Sequence, residues 1–132
     1  MLESSVKNIT LGSYIQDLEE KNIDLEPEYQ RNFVWGTRLM VEYLTSLYNG
    51  MAPTMFVVNK KKKSKRIIDG KQRSTSIHKF VNNEFPIMIG DTPYYYSKVP
   101  EDINNGKTFK KEKKEEFKKL TITVREYEDL SF

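Results

Sequence analysis

Leu11, Tyr14, Ile15 and Leu18 recur at i, i+3, i+4 and i+7, the spacing of a helix with one face in a core. Thr10 or Ser13 stands where a cap is needed. Met40, Tyr43, Leu44 and Leu47 repeat the stripe, with Thr37 as candidate N-cap and Gly50 as C-cap. Between them, residues 22–25 read as a short strand, and Pro27 breaks the regular structure. Residues 55–59 form a Phe-Val-Val strand with polar flanks. The lysine-rich segment after them turns the chain back into residues 66–69, so the pair reads as a hairpin. Ile67 and Ile68 are β-branched and suit a strand buried on both faces. Asp69-Gly70 is a turn signal, and from Ser74 the positions Ile77, Phe80 and Val81 predict a helix to about residue 82.

Beyond residue 83 the pattern is weaker. Residues 85–89 and 94–96 read as short strands around Gly90-Asp91-Thr92-Pro93. Pro100 precedes a loop with Asn104-Asn105-Gly106. Residues 109–119 make a charged helix anchored by Phe109, Phe117 and the following Leu120. Residues 120–127 alternate as a strand with apolar positions at 120, 122, 124 and 127, so the phase breaks at the end. The mixed order of elements predicts an α+β fold.

Composition narrows the chemistry. At 132 residues a single domain, 1–132, is expected. Cysteine is absent and histidine occurs once, which removes disulfides, thiolate metal sites and His-rich metal sites. A carboxylate-bound Mg²⁺ stays open. No apolar run approaches the ~20 residues of a membrane span. The start lacks the basic and apolar regions of a signal peptide, so an intracellular location is the simplest reading: cytoplasmic, or nuclear or in a viral factory if the source is eukaryotic or viral. The net charge is +3 but uneven: Lys60, Lys61, Lys62 and Lys63, then Lys65 and Arg66, form one basic block, and residues 107–119 a second, mixed one. Such blocks attract nucleic acid through its phosphates, or serve as solvated turns and helix faces.

Two clusters carry candidate chemistry. Asp69, Gly70, Lys71, Gln72, Arg73 and Ser74 fall where a strand ends and a helix begins. The first-turn N–H groups of a helix lack partners within it and carry partial positive charge, so Lys71 and Arg73 there make a phosphate site. The alternative is a polar turn whose side chains cap and solvate it. The second cluster is Pro27-Glu28-Tyr29-Gln30-Arg31 with Phe33 and Trp35, where donors and aromatic rings could hold an anionic ligand beside a base, or simply face core and water.

Together the clusters resemble a known family. Pro27-x-Tyr29-Gln30-Arg31, Trp35, a helix ending Leu47-Tyr48-Asn49-Gly50, a hydrophobic strand and Ile68-Asp69-Gly70-Lys71-Gln72-Arg73-x-Thr75 look like the ParB/sulfiredoxin-like superfamily. More closely, they resemble the domains with an Asp-Gly-Gln-Gln-Arg signature, found in the N-terminal part of GmrSD type IV restriction enzymes. The resemblance covers roughly residues 11–127, and the segment Tyr96-Ser97-x-x-Pro100-Glu101 also fits it. It implies a small mixed sheet with surrounding helices and a nucleotide site at the signature turn. In the restriction enzymes the domain is tied to nucleotide hydrolysis, and a separate HNH domain cuts DNA. Asp69, Gly70, Gln72 and Arg73 match the signature, Gln30 and Arg31 match the upstream motif, and Lys71 stands where glutamine is commoner.

The expected function is nucleotide binding, with a weak Mg²⁺-dependent NTPase activity, in a DNA-directed restriction, defence or viral system. Arg73, Lys71, Gln72, Ser74 and the Gly70 turn would hold phosphates, and Arg31 would approach them. Asp69 would orient Mg²⁺ or water, and Gln30 would orient Arg31 or the attacking water. A non-catalytic DNA-binding or regulatory module is the first rival, with the lysine block on phosphates. A nuclease using Asp69 and Glu28 is the second. His78, the one histidine, reads as a surface helix residue, and no HNH pattern exists. The resemblance implies a C-terminal effector or nuclease partner. The chain stops at Phe132, just after a strand, where related domains usually continue into further helices, so a fragment or a minimal viral or phage form is expected.

Overall fold

The computed structural model describes residues 4–25, 35–52, 54–61 and 64–128. Strand β1 (Ser4–Thr10) runs straight into helix α1 (Leu11–Glu19), and the Thr10 hydroxyl accepts the Ser13 N–H at 3.1 Å. The stripe Leu11, Tyr14, Ile15 and Leu18 is buried, as its spacing predicts. Strand β2 (Ile23–Asp24) follows. Helix α2 (Thr37–Tyr48) buries Met40, Tyr43, Leu44 and Leu47. Thr37 proves to be its first helical residue, with Gly36 as the N-cap. Asn49 is the C-cap, and Gly50, at φ +72°, takes the left-handed position just past it that favours glycine.

Strands β3 (Met55–Lys61) and β4 (Ser64–Asp69) form the expected antiparallel hairpin. They run further into the lysine block than hydrophobicity predicts, because backbone pairing of Lys60 with Lys65 and Lys61 with Ser64 extends the ladder. An irregularity at Val57/Val58 shifts the register: Ile67 is fully buried while Ile68 is only half-buried. Burial on both faces therefore fails for Ile68. Helix α3 (Lys71–Val81) begins three residues before the predicted Ser74.

Strands β5 (Ile87–Ile89), β6 (Thr92–Tyr95) and β7 (Lys107–Thr108) make a small sheet in that order, antiparallel then parallel. Pro93, expected in the turn, lies in β6 opposite Met88; its missing N–H is tolerated because pairing with β7 starts only at Tyr94. Helix α4 (Lys111–Lys119) buries Phe117, and strand β8 (Thr121–Glu128) completes the described chain.

The larger sheet has the order β1-β8-β3-β4-β2. β8 is antiparallel to β1 and parallel to β3, and β2 is parallel to β4. Two mixed sheets with helices packed around them make the fold α+β, as expected. Among the described residues no helix is long and apolar enough to cross a membrane. The inward face of β8 keeps strict alternation through Ile122, Val124 and Glu126, so the expected break in phase at Tyr127 does not occur. Glu126, whose side chain is only 7% exposed, is tolerated there because the Lys65 ammonium reaches it at 3.0 Å.

Candidate functional site

β4 ends at Asp69, and one residue turns the chain into α3. Gly70 has φ +96° and ψ 19°, a left-handed conformation that costs any other L-residue strain. Space demands glycine too: a Cβ here would lie 2.7 Å from Cδ1 of Phe56, the β3 side chain beneath the turn. Lys71, Gln72 and Arg73 thus form the first turn of α3, closed by the Ser74 N–H donating to the Gly70 carbonyl at 2.8 Å. That turn contains no acidic side chain, and its N-cap, Gly70, has no side chain to cap it. The positive end of the helix dipole faces the site without a carboxylate from its own first turn.

Arg73 is the best-defined cation here. Its side chain is 16% exposed, and its guanidinium carbon lies 5.0 Å from the centroid of the Phe56 ring. An Nη2 sits 3.6 Å from Asp69 Oδ2, an ion-pair distance beyond good hydrogen-bond reach, and Asp69 is 69% exposed. Among the described residues the fork therefore keeps donor capacity for a ligand. Burial pushes the Tyr43 phenol up to about 12 and raises Tyr14 as well, and the positive charge of Arg73 pulls both the other way. Tyr14, Tyr43 and Phe56 are thus the aromatic surroundings of this arginine. Sequence reading assigned the first two to helix stripes and Phe56 to a strand core, and no pattern marked them as neighbours of a charge.

The other predicted residues divide. The Gln72 carbonyl oxygen Oε1 accepts the Trp35 backbone N–H at 2.9 Å, and the Trp35 ring meets Tyr43 edge-on with centroids 5.8 Å apart. The second sequence cluster is therefore joined to the signature helix at its last aromatic. Glu28, Gln30 and Arg31 lie outside the described residues, as do Lys62 and Lys63. Lys71 is buried. Ser74 is fully buried, with its hydroxyl 2.7 Å from that of Tyr14, so its side chain serves the core. Lys60 is half-buried and Lys61 exposed at the far end of the hairpin. Val57 pairs with Asp69, so Lys61, four residues further along β3, stands roughly 13 Å from the turn. The structure does not bring these lysines to the signature. His78 lies on the α3 surface, 3.7 Å from a Glu19 carboxylate oxygen. Among the described residues no group of three or more histidines and carboxylates could hold a metal, which leaves Asp69 as the carboxylate of the turn.

The two buried phenols give this site a pH signature. A folded-state pKa above the usual tyrosine value of 10.0 means that the unfolded chain loses the proton first. The stabilisation is complete below about pH 10 and is lost as pH rises toward 12. For Tyr43 the shift from 10.0 to about 12 amounts to at most about 3 kcal/mol. Guanidinium unfolding curves at neutral pH and near pH 11 should show the loss, and Tyr43→Phe should flatten part of the slope. A wild-type stability that is flat across that range would mean that the phenols are solvated.

A family model described as GmrSD restriction endonuclease, N-terminal domain, matches residues 11–132. Neither a curated protein nor a solved structure matches the chain.

Proposed function

Because this chain belongs to the family of GmrSD restriction endonuclease N-terminal domains, we propose that it binds a nucleoside triphosphate at the 69–73 turn in the service of a DNA-directed restriction system. The observation that carries the reading is Arg73: a largely buried guanidinium at the start of a helix, only loosely held by Asp69. Its planar fork suits phosphate oxygens, and the N–H groups of the helix start face the same charge. In this reading Arg31, from the upstream motif outside the described residues, would bind the phosphates, and Gln30 would orient Arg31 or a water.

A Mg²⁺ ion would arrive with the triphosphate and neutralise its charge. One exposed carboxylate plus phosphate oxygens is a usual way of holding that ion, and Asp69 fits the part. Slow hydrolysis belongs to the same reading: water attacks the terminal phosphorus, the nucleoside diphosphate leaves, and Asp69 and Gln30 position the water. The relation to the ParB/sulfiredoxin-like superfamily and its signature is also part of this proposal, supported by the strand–turn–helix form of residues 64–81. A C-terminal effector or nuclease would then do the cutting.

A second reading, a DNA-binding module without catalysis, draws on Lys60 and Lys61 at the end of the hairpin, remote from the turn. A nuclease at the turn has less support, with one described carboxylate.

Arg73→Ala should weaken triphosphate binding by about 1.5–3 kcal/mol, or roughly 10- to 150-fold, the scale of a hydrogen bond to a charged group. Arg73→Lys should fall between, since it keeps the charge and loses the fork. Calorimetry with Mg²⁺ decides it, beside a thermal melt because Arg73 packs on Phe56. Equal affinity in wild type and folded variant would remove this site. Phosphate release with and without DNA separates hydrolysis from binding alone.

A further inference from the structure

The sequence marks residues 107–119 as a mixed charged block, and the fold sorts those charges. Phe117 is the buried residue of α4, and it turns the residues three and four positions earlier inward. Lys113 and Lys114 are accordingly half-buried, with ammonium groups 5.7 Å from the Tyr94 ring centroid and 5.2 Å from that of Tyr96. Lys113 Nζ also lies 3.5 Å from the Tyr48 hydroxyl. The exposed Lys110 stands one helical turn before Lys113, and the exposed Lys107 lies in β7, opposite Tyr94. These three lysines converge on a groove of about 590 Å³, walled by Tyr94 and Val99 and floored in part by Gly106. Among the described residues no carboxylate lines it. Among the described residues none of the three lysines is in an ion pair, whereas Glu112, Glu115 and Glu116 stay exposed on α4.

We propose that this groove binds a single-stranded segment of nucleic acid. Three like charges around one hollow repel one another unless an anion joins them. Lysine ammoniums are mobile point charges that follow a phosphodiester chain; arginine forks would suit planar carboxylates better. An aromatic and an aliphatic wall beside the cations give sugars and bases an apolar surface, the usual make-up of a groove that tracks a single strand. A duplex carries its phosphates on a convex cylinder and would meet only the rim.

The groove is separate from the signature turn. Phe109 and Phe117 tie it to Phe80, near the C-terminal end of α3, while the turn lies at the N-terminal end. Eleven helical residues put the two ends about 16 Å apart. The inference does not rest on the nucleotide reading, and mutations separate the two.

The test is fluorescence anisotropy of a labelled oligothymidylate with the full chain, titrated over a range of salt. Lys107→Gln with Lys110→Gln changes two exposed side chains and leaves the packed Lys113 in place. The double variant should bind about tenfold more weakly at low salt, and its log–log salt slope should shrink by about 1.4, or about 0.7 per lost single-strand contact. Arg73→Ala should leave this binding unchanged. Equal affinity and slope in the double variant would overturn the proposal. So would tighter, equally lysine-dependent binding of a duplex, or competition by polyglutamate at the same charge concentration. Loss of binding on Arg73→Ala alone would place the strand at the other end of α3.

Discussion

Phe80→Ala is expected to lower the unfolding free energy by about 3–5 kcal/mol, the range for truncating a buried aromatic. Phe80 is fully buried on α3, and four rings surround it: Phe117 at 5.5 Å between centroids, Phe109 and Tyr96 at 5.7 Å, and Phe85 at 6.0 Å. Those partners come from α4, from the residues after β6 and β7, and from the loop after α3. The ring therefore fastens the small sheet and α4 to the helix that carries the signature. With a total stability of roughly 5–15 kcal/mol to draw on, the variant would stand near the edge of folding. Chemical denaturation measures the loss, and Phe80→Leu, which keeps most of the volume, should lose much less. A loss below about 1 kcal/mol for the alanine variant would mean that the ring cluster contributes little cohesion.

Gly70→Ala comes next in size, at about 2–5 kcal/mol. Two terms add: about 1–2 kcal/mol for holding a non-glycine residue at φ +96°, and about 1–3 kcal/mol for a methyl group 2.7 Å from Phe56 Cδ1. Phe56 cannot yield freely, because its ring also packs against Tyr14 with centroids 4.9 Å apart. The melting temperature should fall by roughly 8–20 °C. Pairing Gly70→Ala with Phe56→Leu separates the terms, since the smaller side chain relieves the clash and leaves the backbone strain. If the single variant melted within about 2 °C of wild type, the left-handed turn and its close contact would be wrong.

Where side-chain periodicity carries the information, the fold was legible. The stripes of α1 and α2 and the α3 residues Ile77, Phe80 and Val81 are buried as spaced, and the hairpin joins the predicted segments. What failed to show is held by backbone pairing. β1 reads Ser-Ser-Val-Lys-Asn-Ile-Thr, is exposed almost throughout, and exists because β8 lies beside it. β7, with two residues, has no pattern to read. Glu126 looked like an outward position because its partner Lys65 lies 61 residues away on another strand. At the candidate site, the turn chemistry of Asp69-Gly70 located the strand–helix junction. The helix start was misplaced because polar Lys71, Gln72 and Arg73 give no helical stripe, although Gly70 lets the helix begin at once. Nor could spacing reveal that Ser74 points into the core at Tyr14, or that Trp35 meets Gln72.

The order β1-β8-β3 also governs how the molecule can be assembled during synthesis. The last described strand sits inside the larger sheet, with the first strand on one side of it and the hairpin on the other. Until residues 121–128 leave the ribosome, β1 has no neighbour and β3 shows a bare edge. Such an edge is a template for other nascent chains. The helices and the hairpin can form as they emerge, but the larger sheet closes in one late step. Translation speed around the codons for residues 121–128, and chaperones at the tunnel exit, therefore bear on the yield of folded protein more than local helix propensity does.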